Sequence, residues 1–206
     1  MRTLIENLEF VLTVDRDNRV LRNACVALEN DRITGIETGI DRAGFDRVID
    51  GRGHGMTPGF IDSHVHLGET LSRAVFPDSL PTRDWVFNWA KPFYAHTDAR
   101  DELVGSQVAM AEMLRCGTTC FLDMGAHNDV AGIVAAIERS GLRGITGRHA
   151  CDVRPAASPA GWTEEMLAHH YFPSTKAALE ALERVVKDHH GAAQGRIRTW
   201  VNVEGK

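Results

Sequence analysis

The pattern of apolar and polar residues along this chain changes near residue 57. Before that point, short runs of alternating residues, separated by turn-forming residues, are typical of half-buried strands. They predict strands over 3–14, 20–28, 32–37 and 47–49. Because no helical periodicity interrupts these runs, the pattern predicts a small β domain over residues 1–57. Glycines at positions 51, 53 and 55 then predict a flexible join.

After Pro58 the pattern changes to strands that alternate with helices. Strands are predicted over 59–66, 118–124, 142–150 and 196–203, and helices over 98–116, 129–140 and 174–190. Asp98 and Ser174 are suitable N-caps, and Gly117 and Gly141 are suitable helix ends. Two long connections are predicted, the proline- and aromatic-rich segment 67–97 and the proline-rich segment 154–161.

This order of elements favours parallel β-α-β units and an α/β fold. A complete eight-stranded barrel of this kind needs about 250 residues, whereas Pro58 to Lys206 is 149 residues. We therefore expect residues 58–206 to form the N-terminal part of a (β/α)8 TIM barrel, with about four strands present. The chain is then expected to be a fragment whose last residues lie in or just after the fourth strand.

Composition and charge exclude several functional classes. The net charge of −5 provides no basic surface for nucleic acid or for an anionic membrane. The N-terminus has no apolar signal-like core, and no apolar stretch reaches the ~18–20 residues that span a bilayer. The four cysteines match neither a zinc ribbon nor a CxxC redox pair. We expect reduced, mostly buried thiols in a cytoplasmic protein without nucleic-acid or membrane partners.

The run Pro58-Gly-Phe-Ile-Asp-Ser-His-Val-His-Leu67 carries the clearest chemical signal. Alternate residues of a strand share a face, so His64 and His66 are expected to project in the same direction. Both lie at the carboxyl end of an apolar strand, where barrel enzymes place their chemistry. Two imidazoles in that arrangement can converge on one ion at the ~2.0–2.1 Å typical of zinc–nitrogen bonds. We interpret His64 and His66 as metal ligands.

The same segment resembles the strand-one signature of the amidohydrolase superfamily. Residues 111–125, AEMLRCGTTCFLDMG, are similar to the helix-one to strand-two segment of that superfamily. Together the two motifs most resemble the branch of S-adenosylhomocysteine, methylthioadenosine, guanine and cytosine deaminases and triazine chlorohydrolases. The resemblance implies that residues 1–57 form a small β-sandwich-like domain, completed by a C-terminal part that is missing from this chain.

The resemblance also implies a cofactor and a reaction. It implies one divalent metal, zinc with iron as the alternative, and a small heterocyclic substrate. The implied reaction is hydrolytic deamination, or dechlorination, of a purine, pyrimidine or triazine-like ring by metal-activated water. In this branch a His, a His with a nearby Glu, and an Asp come from strands five, six and eight. These groups are expected beyond Lys206, so no catalytic residue is assigned here, and the full-length protein is expected to be a homo-oligomer.

Weaker candidates follow the predicted strands. Glu69, Trp85 and Arg148 are candidate substrate contacts, Arg148 because it resembles arginines that hold polar substrate groups in relatives. Asp62 is expected to bridge nearby backbone. Supporting roles are expected for Asp123 and His127, and solvated surface positions for His169, His170, His189 and His190.

Two other interpretations stay open. One is a cyclic-amide hydrolase with two metals, related to hydantoinases or dihydroorotases. The other is a catalytically inactive fragment or an interaction module. A ratio near two metals per complete protein would favour the first of these. The 206-residue chain on its own is expected to show no hydrolase turnover.

Overall fold

The computed structural model describes residues 1–154, 156 and 161–203. It contains two compact units, Met1–Gly59 and a second that begins at Phe60. Most of the connection predicted over 154–161 lies outside the described residues. No helix in the described part of the chain is long and apolar enough to cross a membrane.

The first unit is a five-stranded mixed sheet. Its strands are β1 (Arg2–Leu12), β2 (Val20–Glu29), β3 (Arg32–Glu37), β4 (Arg47–Asp50) and β5 (Gly55–Met56). The order is β3-β2-β1-β4, and β5 also pairs with β1. Strands β1 to β3 are antiparallel, whereas β4 and β5 run parallel to β1.

Both faces of this sheet bury apolar side chains. Leu4 packs with Cys25 and Ala27 on one face, while Leu8 packs with residues of the other face. A register shift between Ile5 and Leu8, with Asn7 at φ 57°, lies between them. Because one extra residue reverses the alternation, this bulge turns Leu8 to the face opposite Leu4.

The second unit is built around parallel strands. They are β6 (Phe60–Val65), β7 (Thr118–Asp123), β8 (Arg143–Thr146), β9 (His149–Ala150), β10 (Ile197–Thr199) and β11 (Asn202–Val203). The α-helices are α1 (Thr82–Trp85), α2 (Lys91–His96), α3 (Ala99–Arg115), α4 (Val130–Ser140), α5 (Glu164–His170) and α6 (Thr175–His189). The main sheet has the order β10-β8-β7-β6, and β9 pairs with β11.

The core of the second unit lies between the main sheet and helices α3 and α4. Phe121 of β7, Ile137 of α4 and Ile197 of β10 are almost completely buried in one cluster. The predicted helices are confirmed to within a residue or two, and α3 and α4 are followed by Gly117 and Gly141 at positive φ. Their caps and apolar stripes are local features, which is why the sequence reveals them.

The segment 67–97, predicted as a long connection, is largely helical. A 3₁₀ helix covers Leu67–Ser72, and a continuous helical stretch runs from α1 through a π-helical turn at Val86–Ala90 into α2. Pro92 has no N–H to donate to the preceding turn. An irregular turn just before it is the expected consequence, because π-turns accommodate an interrupted hydrogen-bond ladder.

Two of the predicted strands are each divided in two. The predicted strand 142–150 forms β8 and β9 in different sheets, and the predicted strand 196–203 forms β10 and β11. The breaks meet in space, because Trp200 N–H donates to the Thr146 carbonyl at 3.2 Å. A Cβ at Gly147 would lie 2.5 Å from the Trp200 carbonyl oxygen, so this crossing needs glycine.

Strand β6 is an edge strand of the main sheet in the described part of the chain. Among the described residues it pairs only with β7. Its side chains Phe60 and Ile61 are 62% and 73% exposed. The strand that carries the HxH motif is therefore hydrogen-bonded along one edge.

We expect Asp98→Ala to lower the free energy of unfolding by about 1 kcal/mol, the usual effect of removing an N-cap. The Asp98 carboxylate accepts hydrogen bonds from the N–H groups of Arg100 and Asp101 at 2.8 and 2.9 Å, and the Asp101 side chain accepts from Asp98 N–H. Urea denaturation measures the effect. Arg100→Ala, in the same turn, is the control and should change stability by less than about 0.5 kcal/mol.

Candidate metal centre

His64 and His66 lie at the carboxyl end of β6. The centroids of their imidazole rings are 5.3 Å apart, with the ring planes at 61° to each other. His64 is exposed and His66 is half-buried. Asp62 accepts a hydrogen bond from the backbone N–H of His64 at 3.1 Å, so its contact is with nearby backbone. Among the described residues, no group of three or more His, Cys, Asp or Glu side chains could hold a metal.

Glu69 and Tyr94 join His66 in a small hydrogen-bonded group. The Tyr94 hydroxyl donates to Glu69 Oε2 at 2.7 Å and lies 3.3 Å from His66 Nδ1. The Glu69 side chain is only 15% exposed, so it is not a solvated loop carboxylate. Burial, with the charge of Glu69 as a smaller cause, raises the pKa of Tyr94 well above its ordinary value of 10. Burial lowers the pKa of His66, which favours the neutral imidazole that a metal requires.

Asp123 supports the turn that follows the HxH motif. It ends β7, is fully buried, and accepts hydrogen bonds from Leu67 N–H at 3.1 Å and from the Thr146 hydroxyl at 2.7 Å. Burial raises the pKa of Asp123 from 3.8 to about 6, while these hydrogen bonds oppose the change. One carboxyl group thus links the ends of β6, β7 and β8.

His127 is the centre of a stack of rings beside the motif. Its imidazole lies over Tyr94, with centroids 4.0 Å apart and 14° between planes, and 4.3 Å from the ring of His149. Its backbone N–H donates to the buried carboxylate of Glu102 at 2.6 Å, and that carboxylate also accepts from Asn128 N–H at 2.9 Å. Glu102 therefore fixes the loop that places His127 against Tyr94.

We expect His127 to destabilise the protein progressively below pH 6.5. Burial lowers its pKa well below 6.5, with the neighbouring His149, His170 and Arg148 as further causes. The unfolded chain then binds a proton that the folded protein does not, so stability is complete above pH 6.5 and falls by up to about 1.4 kcal/mol per pH unit below it. Chemical denaturation between pH 5 and 7 should show this slope, and His127→Gln should reduce it. His169→Gln, an exposed control, should leave it unchanged.

Arg148 and Trp85, two of the candidate substrate contacts, differ in what their side chains touch. Arg148 follows β8 and donates from Nη1 to the carbonyl oxygens of Ala126 and Asn128, at 3.4 and 3.2 Å. Its guanidinium carbon lies 5.5 Å from the ring centre of Phe172, and burial lowers its pKa. Trp85 ends α1 and is half-buried. The ring contacts among the described residues of this segment join Phe76, Trp89, Phe93 and Tyr94, and do not include Trp85.

The prediction that His170 is a solvated surface residue is wrong. Only 8% of it is exposed, and its ring lies 5.8 Å from that of His127 and 5.6 Å from that of Trp162. Met166 and Leu167 are buried on the same face of α5. That spacing of three and four residues is the sequence signal that identifies His170 as inward-facing. His169, on the other face, is exposed as expected.

Comparison with known proteins identifies relatives of this chain. The family model "Amidohydrolase family" matches residues 56–205. A 5'-deoxyadenosine deaminase of Methanosarcina acetivorans is 33% identical over 199 residues, which cover 97% of this chain and 41% of that protein. A 5-methylthioadenosine/S-adenosylhomocysteine deaminase of Syntrophomonas wolfei is 33% identical over 161 residues, 78% of this chain and 36% of its own length. The chain thus spans about two fifths of these relatives.

Solved structures share the fold at lower identity. An atrazine chlorohydrolase of Arthrobacter aurescens, complexed with zinc, has a TM-score of 0.79 at 21% identity and covers 99% of this chain and 47% of its own. An adenosine deaminase of Xanthomonas campestris with bound zinc has a TM-score of 0.68 at 23% identity, covering 96% and 41%. These matches confirm the predicted α/β class and the N-terminal part of the barrel.

Proposed function

Because this chain belongs to the amidohydrolase family, we propose that the complete protein is a metal-dependent hydrolase acting on a small nitrogen heterocycle. The reaction it supports best is hydrolytic removal of a ring amino group, with a halide as the alternative leaving group. The observation that carries the proposal is the His64–His66 pair, 5.3 Å apart between ring centroids at the carboxyl end of β6. Relatives named as deaminases of adenosine-type compounds support the substrate class.

The donor chemistry of this pair fits a divalent metal such as zinc. Imidazole is a ligand that zinc and iron both accept, and it must be neutral to bind. Burial favours the neutral form of His66. We propose that His64 and His66 supply two ligands and that the others come from the part of the protein beyond residue 206. One zinc ion is proposed, in line with the zinc named in two structural neighbours.

When bound, a divalent metal supplies a nucleophile at neutral pH by lowering the pKa of a coordinated water. We propose that His64 and His66 are the ligand pair. Asp123 supports this role because it accepts a hydrogen bond from Leu67 N–H and so fixes the turn that follows His66. The proton acceptor and donor for the leaving group are proposed to be carboxylates and a histidine beyond Lys206.

The rim of the site suggests how a planar ring is held. We propose that Arg148 contacts a polar substrate group and that Trp85 contributes an aromatic surface. Glu69, the third candidate, is directed to Tyr94, which favours a supporting role over substrate contact. We also propose a cytoplasmic homo-oligomer; the free thiols of Cys25, Cys116 and Cys120 are compatible with a reducing compartment.

The test uses the full-length protein. Ammonia release is followed with 5'-deoxyadenosine, methylthioadenosine and S-adenosylhomocysteine, and chloride release with a chlorotriazine. Metal content is measured by elemental analysis of the same preparation. The proposal expects about one metal per chain and turnover that is lost on chelation and restored by zinc. Metal-independent turnover would contradict it, and two metals with hydrolysis of a cyclic amide would identify the dinuclear alternative.

The 206-residue chain alone is expected to show no hydrolase turnover. Two imidazole ligands are fewer than the three protein ligands that catalytic zinc sites use, and the described residues contain no third ligand beside them. The measurement is the same assay with added zinc. Metal-dependent turnover by a monodisperse monomer of this chain would refute the expectation, while the full-length protein serves as the positive control.

A further inference from the structure

The hydrogen bonds around Tyr94 determine where its one proton lies. A phenol has a single O–H to donate. The Tyr94 oxygen is 2.7 Å from Glu69 Oε2 and 3.3 Å from His66 Nδ1. An ionised carboxylate is an acceptor only and is the stronger of the two acceptors, so the proton is directed to Glu69. The phenol oxygen then faces His66 with a lone pair, which requires a proton on Nδ1.

We propose that Glu69 and Tyr94 form a positioning pair that holds His66 as the Nδ1–H tautomer, leaving the lone pair of Nε2 for a divalent metal. The proposal rests on the proposed function only in taking His66 as a metal ligand. It assigns Tyr94, which sequence reasoning did not single out, and gives Glu69 a role other than substrate contact. An imidazole whose second nitrogen donates to a fixed partner has a defined tautomer and ring orientation.

The pair is itself held in place from several sides. The ring of Tyr94 stacks on His127, and the backbone of His127 is hydrogen-bonded to the buried Glu102. Glu69 belongs to the 3₁₀ helix Leu67–Ser72, where its N–H donates to the His66 carbonyl at 3.2 Å. These contacts restrict both members of the pair before any metal binds.

The position of Glu69 argues against its being a ligand to the same ion. Glu69 Oε2 lies 3.9 Å from His66 Nδ1. It therefore lies on the Nδ1 side of the ring, beside the Tyr94 hydroxyl. A metal bound by Nε2 would lie on the side of the ring away from this carboxylate, which is already hydrogen-bonded to Tyr94.

The direct test is the tautomer of His66 in metal-free, full-length protein. With ¹⁵N-labelled histidine, long-range ¹H–¹⁵N correlation distinguishes Nδ1–H from Nε2–H, and His66→Gln identifies the signal. The expected result is the Nδ1–H form in the wild type. The Nε2–H form would overturn the proposal, whatever the variants do and whether or not they fold.

The second test measures metal affinity by competition with a chelator, using zinc. Tyr94→Phe and Glu69→Ala are expected to weaken the Kd about 10–100-fold, the usual effect of losing a partner of a metal-bound histidine. Glu69→Gln keeps an acceptor for the Tyr94 hydroxyl and should stay within about threefold of the wild type. Tyr171→Phe, which removes a hydroxyl from another buried tyrosine, is the matched control. Unchanged affinity in Tyr94→Phe and Glu69→Ala would overturn the proposal.

These readouts are independent of the substrate. If no heterocycle is hydrolysed, the proposed function fails, yet the tautomer and the zinc affinity still decide the role of the pair. If turnover is observed but Tyr94→Phe changes neither readout, the positioning pair fails and the proposed function remains.

Discussion

Full-length protein carrying His64→Ala or His66→Ala is expected to lose its divalent metal and at least about 1000-fold of its hydrolase activity, which corresponds to about 4 kcal/mol of transition-state stabilisation. Each substitution removes one of the two imidazoles that meet at the end of β6, with ring centroids 5.3 Å apart. With one imidazole removed, the remaining ligands cannot hold the ion in a fixed geometry. Each protein ligand restricts the position of the ion and the coordination position that is left for water.

Elemental analysis after gel filtration and the ammonia-release assay measure the two losses together. His169→Ala is the control, because it removes an exposed histidine from α5. It should retain full metal content and activity. Metal content equal to that of the wild type in both His64→Ala and His66→Ala would show that the motif does not bind the metal.

Asp123→Ala is expected to lower the free energy of unfolding by about 3 kcal/mol at pH 5, within the range for removing one partner of a buried polar network. It leaves Leu67 N–H and the Thr146 hydroxyl, both buried, without their acceptor. Thr146 is fully buried, so water cannot readily replace the carboxyl group. Asp188→Ala, an exposed substitution in α6, should change stability by less than about 0.5 kcal/mol.

The raised pKa of Asp123 also predicts an unusual pH dependence of the free energy of unfolding. Its pKa in the folded protein, about 6, is above the ordinary value of 3.8, because burial disfavours the charge. The stability it contributes is therefore complete below pH 3.8 and is lost as the pH rises through 6, by up to about 3 kcal/mol. Asn at this position does not titrate. In metal-free protein, the wild type should lose stability relative to Asp123→Asn as the pH rises from 4 to 7.5. A stability difference that stays constant over this range would contradict the raised pKa.

The sequence predicts the elements whose signals are local. Helices α3, α4 and α6 are capped by Asp98, Asp129 and Ser174. Each of these side chains accepts a hydrogen bond from an N–H group two or three positions further along the chain. Such bonds, and the apolar stripes of these helices, depend on neighbours within a few positions. The HxH motif is local in the same sense, because two residues of one strand fix its geometry.

Features that depend on distant neighbours could not be predicted. Tyr94 meets His66 across 28 residues. The spacing of Trp85, Trp89 and Phe93 is helical, but no local signal identifies His66 as the partner of Tyr94. The division of residues 142–150 into β8 and β9 depends on Trp200, which approaches Gly147 from the break between β10 and β11. Asp123 gains its hydrogen bonds from Leu67 and Thr146. In each case the folded sheet brings the two partners together, and the pattern of residues along the chain does not indicate which residues will meet.

In the described part of the chain, one edge of β6 has no partner strand, and this has a consequence for handling the protein. A strand with unpaired N–H and C=O groups is a template for pairing with another molecule, especially where apolar side chains flank it. Phe60 and Ile61, both largely exposed, supply such a flank. Protein in which this edge is uncovered should self-associate as its concentration rises, and Ile61→Lys should oppose that self-association, as measured by light scattering.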